Sequence, residues 1–467
     1  MAEKKDAVKK LKEKLLVQRK NGYHLISDKE LKACDKFCEG YKDFMNKAKI
    51  EREAVIYSID LLKKKGFVEY KKGMALKAGD KIYKNNRGKS VIASVIGTAP
   101  IEEGVRLCAA HIDSPRLDLK QNPLYEDTEL ALFKTHYYGG IKKYQWTTIP
   151  LSLHGVIIKA DGTSIPVNIG EDEGDPVFCV TDLLPHLASA QMQKPLAKGI
   201  TGEQLNILIG SRPFKDDEES GSVKLAIIDL LNKKYGITEA DFISSELEAV
   251  PAFKAKDIGF DRSMIGAYGH DDKVCAYPAL VATAECKKPR HTVVTILTDK
   301  EETGSDGNTG LRSSYLEYFI ADIAEALGSD GRTVLSASEC LSADVNAAYD
   351  PTFPEVNERN NSAYINHGVV VTKYTGARGK AGTSDASAEF TGRVRRLMDA
   401  NKVVWQTGEL GKVDEGGGGT VAAYIANLDV DTIDLGVPVL SMHAPYEIVS
   451  KLDTYMAYKA FEVFIAD

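Results

Sequence analysis

The chain has 467 residues, of which 43% are hydrophobic and 27% are charged, and its formal net charge at pH 7 is −7. This composition is that of a folded globular protein and excludes an intrinsically disordered chain. Because Lys and Arg are not in excess over Asp and Glu, the charge does not indicate nucleic acid or an anionic membrane as a partner.

The first predicted element is a basic amphipathic helix over residues 6–19, whose apolar face we expect to pack on the protein itself or on a sister subunit rather than on a membrane. A second helix is predicted to begin at Ser27 or Asp28, because both residue types are good helix caps. No apolar signal-peptide segment or membrane-spanning run occurs, and the seven scattered Cys are typical of reduced thiols. These features predict a cytoplasmic protein.

Further along, strands alternate with helices, which predicts an α/β fold with a central mixed, mostly parallel sheet and helices on both faces. The predicted strands span residues 91–96, 105–110, 292–297, 333–338, 368–372 and 437–442. The predicted helices span residues 273–286, 314–327, 386–400 and 451–465.

Residues 115–254 have a different pattern, with short strands at 155–158 and 165–169 broken by clusters of Gly and Asp. We expect this region to be a β-rich domain inserted into the first domain. The first domain would then consist of residues 1–114 and 255–467.

Polar residues follow or precede several of these elements. His111 follows an apolar strand, and imidazole is a good zinc ligand that a nearby carboxylate such as Asp113 can orient. Asp271 and Asp272 precede a predicted helix, where an Asp is either a simple cap or, having two carboxylate oxygens, a ligand that bridges two metals. Each of these motifs alone is compatible with a purely structural role.

The most informative motif is the pair Glu301 and Glu302, which follows a predicted buried strand and precedes a Gly turn. Catalytic groups of open α/β sheets lie at this edge, so one Glu could bind a metal while its neighbour accepts a proton from water. Asp344 and His443 also follow strand-like runs. Together with His111 these residues predict a site for two zinc-like ions.

These motifs resemble those of the aspartyl and vacuolar aminopeptidase I family of zinc aminopeptidases. The resemblance covers essentially the whole chain and rests on residues 111–115, 300–305, 342–344 and 441–443. It implies a metal-dependent enzyme that hydrolyses N-terminal residues from peptides with a free N-terminus, using water activated by two divalent ions. It implies that zinc is bound by His111, Asp271, Glu302, Asp344 and His443, although His and carboxylate ligands suit cobalt or manganese as well. In this assignment Asp271 bridges the two ions, Glu301 is the general base and Asp113 supports the site.

The resemblance also implies that the inserted domain is a dimerisation domain and that the homo-oligomer is a dodecamer built from dimers. A His of the insertion would reach the active site of a neighbouring subunit. His186 is the candidate, with His136 and His154 as alternatives.

Two departures from the family pattern leave alternatives open. Many members have Leu-Asp-Asn where this chain has His270-Asp271-Asp272, so Asp272 competes with Asp271 as the metal ligand. His367 stands where members that prefer acidic N-terminal residues carry Lys, which leaves the substrate side chain open. Gly418 and Gly419 lie in a Gly-rich turn that we expect to approach the substrate backbone.

Two other functions are compatible with the same residues. One is a dinuclear-metal carboxypeptidase or amide deacylase, and the other is a shell protein whose metal site is a relic. A panel of free and acetylated peptides distinguishes an aminopeptidase from both.

Overall fold

The computed structural model describes residues 2–217 and 219–467. In this part of the chain the central sheet has nine strands with mixed pairing, and its four adjacent central strands are all parallel. In spatial order the strands are Val68–Glu69, Lys81–Asn86, Ser90–Val95, Thr292–Thr298, Val105–His111, Glu339–Ser342, Asp431–Gly436, Val369–Thr372 and Trp405–Thr407. The predicted mixed, mostly parallel sheet is confirmed.

Helices cover both faces of this sheet, as predicted. Along the strand Val105–His111, Cys108 and Ala110 face one apolar core while Leu107 and Ala109 face the other, so both sides of the strand are buried. One face packs against the helices Asp28–Lys47, Glu51–Lys64, His270–Glu285, Ala388–Ala400 and Lys451–Ala466, and the other against Tyr315–Ala326, Gly331–Ser336 and Ala422–Ala426. None of the helices in the described residues is long and apolar enough to cross a bilayer.

The two N-terminal helices differ in how well the sequence predicted them. The second begins at Asp28 as expected, because the Ser27 side chain and Glu30 form a reciprocal capping box. The first spans Ala2–Leu15 rather than residues 6–19. Its side chains Val8, Leu11 and Leu15 are each more than half exposed, so this apolar face is not packed on its own chain.

One predicted strand is wrong. Residues 333–338 lie mostly in the helix Gly331–Ser336, whose start is fixed by Asp330, since its side chain accepts hydrogen bonds from the Arg332 and Thr333 N–H groups. The strand at this position of the sheet is Glu339–Ser342 instead. A short apolar run does not distinguish a buried helix from a buried strand, which explains the error.

A second sheet is smaller and lies beside the first. Its five strands within the described residues are, in spatial order, Lys256–Ile258, Met264–Ala267, Glu447–Ser450, Pro438–Leu440 and Asn346–Ala347. The predicted strand 437–442 is therefore shorter than expected and belongs to this sheet rather than to the central one.

A third sheet is built from chain between residues 116 and 251, and all its described pairs are antiparallel. In spatial order its seven strands are Ser164–Ile169, Leu151–Ile158, Ser245–Pro251, Arg116–Asp127, Leu130–Tyr138, Ile207–Gly210 and Cys179–Val180. This region also contains the helices Ser189–Met192, Leu196–Gly199 and Ser222–Tyr235. The expected β-rich character of the region is borne out.

Candidate metal centre

Three adjacent parallel strands bring the candidate residues to one edge of the central sheet. His111 ends the strand Val105–His111, the turn with Glu301 and Glu302 follows Thr292–Thr298, and Asp344 follows Glu339–Ser342. Parallel strands end at the same edge, so residues far apart in sequence become neighbours. Asp271 reaches this edge from the start of the helix His270–Glu285, and His443 follows the strand Pro438–Leu440.

Each of the two histidines has one ring nitrogen engaged and the other directed into the cluster. The Nδ1 of His111 lies 3.1 Å from the Asp113 carbonyl oxygen, and the Nδ1 of His443 lies 2.8 Å from the Gly140 carbonyl oxygen. With Nδ1 bonded to these acceptors, Nε2 of each ring faces the carboxylates, where it can donate a proton to Asp271 or, once deprotonated, bind a cation. Both histidines therefore direct Nε2 toward the same group of carboxylates.

The Asp271 carboxylate lies between the two histidines. Its Oδ1 is 3.1 Å from Nε2 of His111, and its Oδ2 is 3.1 Å from Nε2 of His443. One oxygen facing each imidazole is the arrangement that a bridging ligand requires. Asp272 is also fully buried, but its side chain contacts neither imidazole nitrogen within salt-bridge distance.

The remaining carboxylates crowd around this bridge. Glu302 Oε2 is 3.4 Å from Nε2 of His443, while Glu301 Oε2 and Asp344 Oδ1 are each 3.9 Å from Nε2 of His111. Burial and the negative charge of Asp271 raise the pKa of Glu301 to about 7 and that of Glu302 well above its usual value. Burial and the negative charge of Glu301 likewise raise the pKa of Asp344 well above its usual value.

This donor set fits divalent cations. Ligand atoms of His111, Asp271 and Glu302 lie within 4.8 Å of one another, and so do those of His111, Glu301 and Asp344. Among the described residues, the buried Oε1 of Glu302 has no hydrogen-bond partner. Clustered carboxylates with an orphaned buried oxygen are costly unless cations compensate them, and His with carboxylate ligands suit zinc.

Two buried carboxylates hold the segments that carry these side chains in place. Asp113, named from the sequence, accepts hydrogen bonds from the Glu301 and Glu302 N–H groups at 3.1 and 3.2 Å, so it fixes the turn that carries both. Glu447 was missed by sequence reasoning. It accepts from the backbone N–H groups of Asp271 and His443, at 3.1 and 2.7 Å, and thereby ties two distant ligand segments together. Its spacing of four residues after His443 is the only sequence signal for it.

The histidines proposed to reach a neighbouring subunit have different surroundings. His154 is buried between Glu53 and Glu171, with its Nδ1 2.7 Å from Glu53 Oε1. His136 is exposed and stacks on Tyr137. His186 is exposed in the short helix Pro185–Leu187.

The three candidate substrate-binding residues lie apart from the ligand cluster. His367 precedes the strand Val369–Thr372, whose antiparallel pairing with Asp431–Gly436 puts this residue at the same sheet edge as the cluster. Within the described residues, its ring neighbour is Tyr364, and burial lowers its pKa. Gly418 accepts a hydrogen bond from the Gly376 N–H, and Gly419 lies near Gly382, so both contact a neighbouring loop rather than the ligands.

A two-histidine, multi-carboxylate centre at the carboxyl edge of an α/β sheet defines a metal-dependent hydrolase. A model of the Aminopeptidase I zinc metalloprotease (M18) family matches residues 44–465. The chain therefore belongs to the M18 family of aminopeptidases, which are zinc metalloproteases that hydrolyse peptide bonds. The aminopeptidase prediction is confirmed.

Similar proteins cover nearly all of the chain. A probable M18 family aminopeptidase 1 from Clostridium acetobutylicum is 51% identical over 459 residues, which are 97% of this chain and 99% of that protein. The crystal structure of aminopeptidase I from Clostridium acetobutylicum has a TM-score of 0.91 at 48% identity, covering 97% of this chain and all of the other. That of an M18 aminopeptidase from Thermotoga maritima has a TM-score of 0.92 at 43% identity, covering 96% and 99%.

The fold also extends to more distant proteins. The structure of the S. cerevisiae mApe1 dodecamer has a TM-score of 0.74 at 23% identity, covering 93% of this chain and 97% of the other.

Proposed function

We propose that this aminopeptidase binds two divalent ions, with zinc as the metal and cobalt or manganese as substitutes, through His111, Asp271, Glu302, Asp344 and His443. The observation that carries the proposal is the Asp271 carboxylate, whose two oxygens face Nε2 of His111 and Nε2 of His443. A single carboxylate between two such nitrogens suits a bridge between two ions better than a single ion.

Glu301 is the general base of this proposal. Zinc bound here supplies Lewis acidity for the scissile carbonyl and lowers the pKa of the attacking water. Glu301 accepts the proton of that water and returns it to the leaving amine, while the Asp113 contact to its backbone N–H keeps its carboxylate at the ligand cluster. The side chain of Glu301 is 18% exposed and that of His443 is 35% exposed, so substrate can approach from their side.

The proposed assembly is a dodecamer built from dimers, with residues 115–254 as the dimerisation domain and residues 1–114 and 255–467 as the catalytic domain. The exposed segment around His186 supports this proposal, because Leu183, Leu184, Leu187 and Met192 there are each at least half exposed. Such contiguous apolar side chains are typical of subunit interfaces. His186 would then enter the neighbour's active site, whereas the buried His154 has no free path to one.

Peptides with a free N-terminus are the proposed substrates. His367, at the same sheet edge as the ligands, is the proposed contact for the substrate side chain, and Gly418 and Gly419 for its backbone. We propose a cytoplasmic location, supported by the seven cysteines, all of which are free thiols in the described chain.

Metal content and substrate cleavage test this proposal together. The wild-type protein is expected to contain two zinc ions per chain by elemental analysis, and His443→Ala is expected to lose metal and activity together. Full metal occupancy in His443→Ala would exclude His443 as a ligand. Aminoacyl-anilides and peptides with free and acetylated N-termini then define the substrate, and cleavage of acetylated peptides would contradict the aminopeptidase assignment of the site.

A further inference from the structure

The residues 138–140 connect the seven-stranded sheet to the metal centre. Tyr138 ends the strand Leu130–Tyr138, and its hydroxyl donates a hydrogen bond to Asp113 Oδ2 at 2.7 Å. Gly139 follows with a φ of +75°, and a Cβ there would lie 3.2 Å from Glu302 Oε2. Gly140 then presents its carbonyl oxygen to Nδ1 of His443. Three consecutive residues therefore touch three different parts of the centre.

The Tyr138 ring is itself held by a buried cation of the adjacent strand. Arg116 lies directly opposite Tyr138 in the adjacent strand, and its guanidinium carbon is 3.9 Å from the ring centroid. Arg116 is buried and forms ion pairs with Asp118 at 2.8 Å and with Glu248 at 3.1 Å. The buried Arg116, itself held by these ion pairs, therefore keeps the Tyr138 ring and its hydroxyl in one position.

Asp113 is the carboxylate through which Tyr138 can act. Its Oδ1 lies 3.3 Å from Nδ1 of His111, and its two oxygens accept from the N–H groups of Glu301 and Glu302. The Tyr138 hydrogen bond is the shortest of the bonds that Asp113 accepts from these groups. Burial and the negative charge of Asp113 raise the pKa of Tyr138, so the hydroxyl keeps its proton and remains a donor.

We propose that Tyr138 is a positioning residue for the metal centre: its hydroxyl fixes Asp113 and thereby orients His111 and the turn that carries Glu301 and Glu302. Partners behind a metal ligand set its orientation, and their loss commonly costs about 10- to 100-fold in metal affinity or activity. The inference rests on the proposed assignment of the metal ligands. It makes the antiparallel sheet a structural part of the catalytic centre as well as a separate region of the fold.

Tyr138→Phe tests this proposal, because it removes the hydroxyl and keeps the ring over which Arg116 stacks. The matched control is Tyr315→Phe, which removes another hydroxyl hydrogen bond, 2.8 Å to the Lys84 carbonyl oxygen and remote from the ligands. Zinc affinity is measured by competition with a chromophoric chelator, and kcat and KM are measured on an aminoacyl-anilide. We expect Tyr138→Phe to weaken zinc binding by about tenfold or more and to lower kcat with little change in KM, while Tyr315→Phe matches wild type.

A double-mutant cycle with Asp113→Ala, which removes the acceptor of the Tyr138 hydrogen bond, separates positioning from general destabilisation. If Tyr138 acts through Asp113, the double variant binds zinc about as weakly as Asp113→Ala alone, whereas independent effects on zinc affinity would multiply. Zinc affinity and kcat of Tyr138→Phe within about twofold of wild type would overturn the positioning role. Multiplicative effects in the cycle would overturn it as well, even if Tyr138→Phe folds poorly. A wild-type chain that binds no zinc would instead overturn the ligand assignment on which the inference rests.

Discussion

Substitution of Glu301 by Gln is the sharpest test of the proposed chemistry. Gln has the shape of Glu and keeps the backbone N–H that donates to Asp113, so the turn should stay in place. It cannot accept a proton, however, because its amide is not a base at neutral pH. The substitution therefore removes the proposed base while the ligand Glu302 keeps its position.

The expected loss follows from the role proposed for Glu301. Glu301 is not among the five proposed ligands, so its substitution by Gln is expected to leave metal binding largely intact. What remains to be lost is general-base catalysis, which contributes about 10²- to 10⁴-fold. At about 1.4 kcal/mol per tenfold, this corresponds to about 3 to 5.5 kcal/mol of transition-state stabilisation.

The assay compares kcat/KM on an aminoacyl-anilide with zinc content measured on the same preparations. Glu302→Gln is the matched control, because it makes the same change of charge one residue along the same turn but removes a proposed ligand. We expect Glu301→Gln to keep its zinc and lose activity, and Glu302→Gln to lose both. A Glu301→Gln variant that stays active, or that loses zinc as readily as Glu302→Gln, would refute the assignment of the two roles.

Two further predictions concern assembly and pH. Leu187→Asp places a charge on a side chain that is 68% exposed, so the variant should fold normally but should no longer form the oligomer, as measured by light scattering. His186→Ala should instead lower kcat and leave the oligomer intact. An unchanged oligomer in Leu187→Asp would argue against this interface. Burial lowers the pKa of His154, but Glu171 and Glu53 raise it by more, so the net shift is upward. The protonated His154 therefore stabilises the fold fully below about pH 6.5, and this stabilisation is lost as the pH rises through the raised pKa. Urea unfolding should therefore show His154→Gln less stable than wild type by about 1.5 to 3 kcal/mol near pH 6, with a smaller gap near pH 9, and a gap that does not shrink would contradict this reasoning.

The residues of the proposed metal centre could be selected from the sequence because each follows or precedes a strongly patterned element. The strand Val105–His111 is mostly apolar and is buried at every position, and the same is true of the strand before Glu301 and Glu302. Parallel strands bring such ends together without any detailed knowledge of packing. Asp271 and Asp272 were left as alternatives, since their order in the sequence does not reveal which carboxylate faces the histidines.

The supporting residues could not be predicted because they act across contacts between separate sheets. Tyr138 ends an ordinary alternating strand, and its bond to Asp113 exists only because the seven-stranded sheet docks against the central one. Arg116 looks like a surface charge in the sequence but is 3% exposed in the structure. The wrong strand at residues 333–338 has a local cause instead, since the cap supplied by Asp330 decided between two conformations that the apolar run allowed equally.

The dispersal of the ligands along the chain bears on when the enzyme becomes active during its synthesis. His111 precedes the whole antiparallel sheet, whereas His443 comes after every strand of the central sheet within the described residues. Until residue 443 has left the ribosome, a growing chain lacks one of the two imidazoles that face Asp271. On the proposed ligand assignment, the metal centre would therefore be complete only after nearly the whole chain has been synthesised. Zinc capture would be a late step that favours the completed fold over partly folded chains.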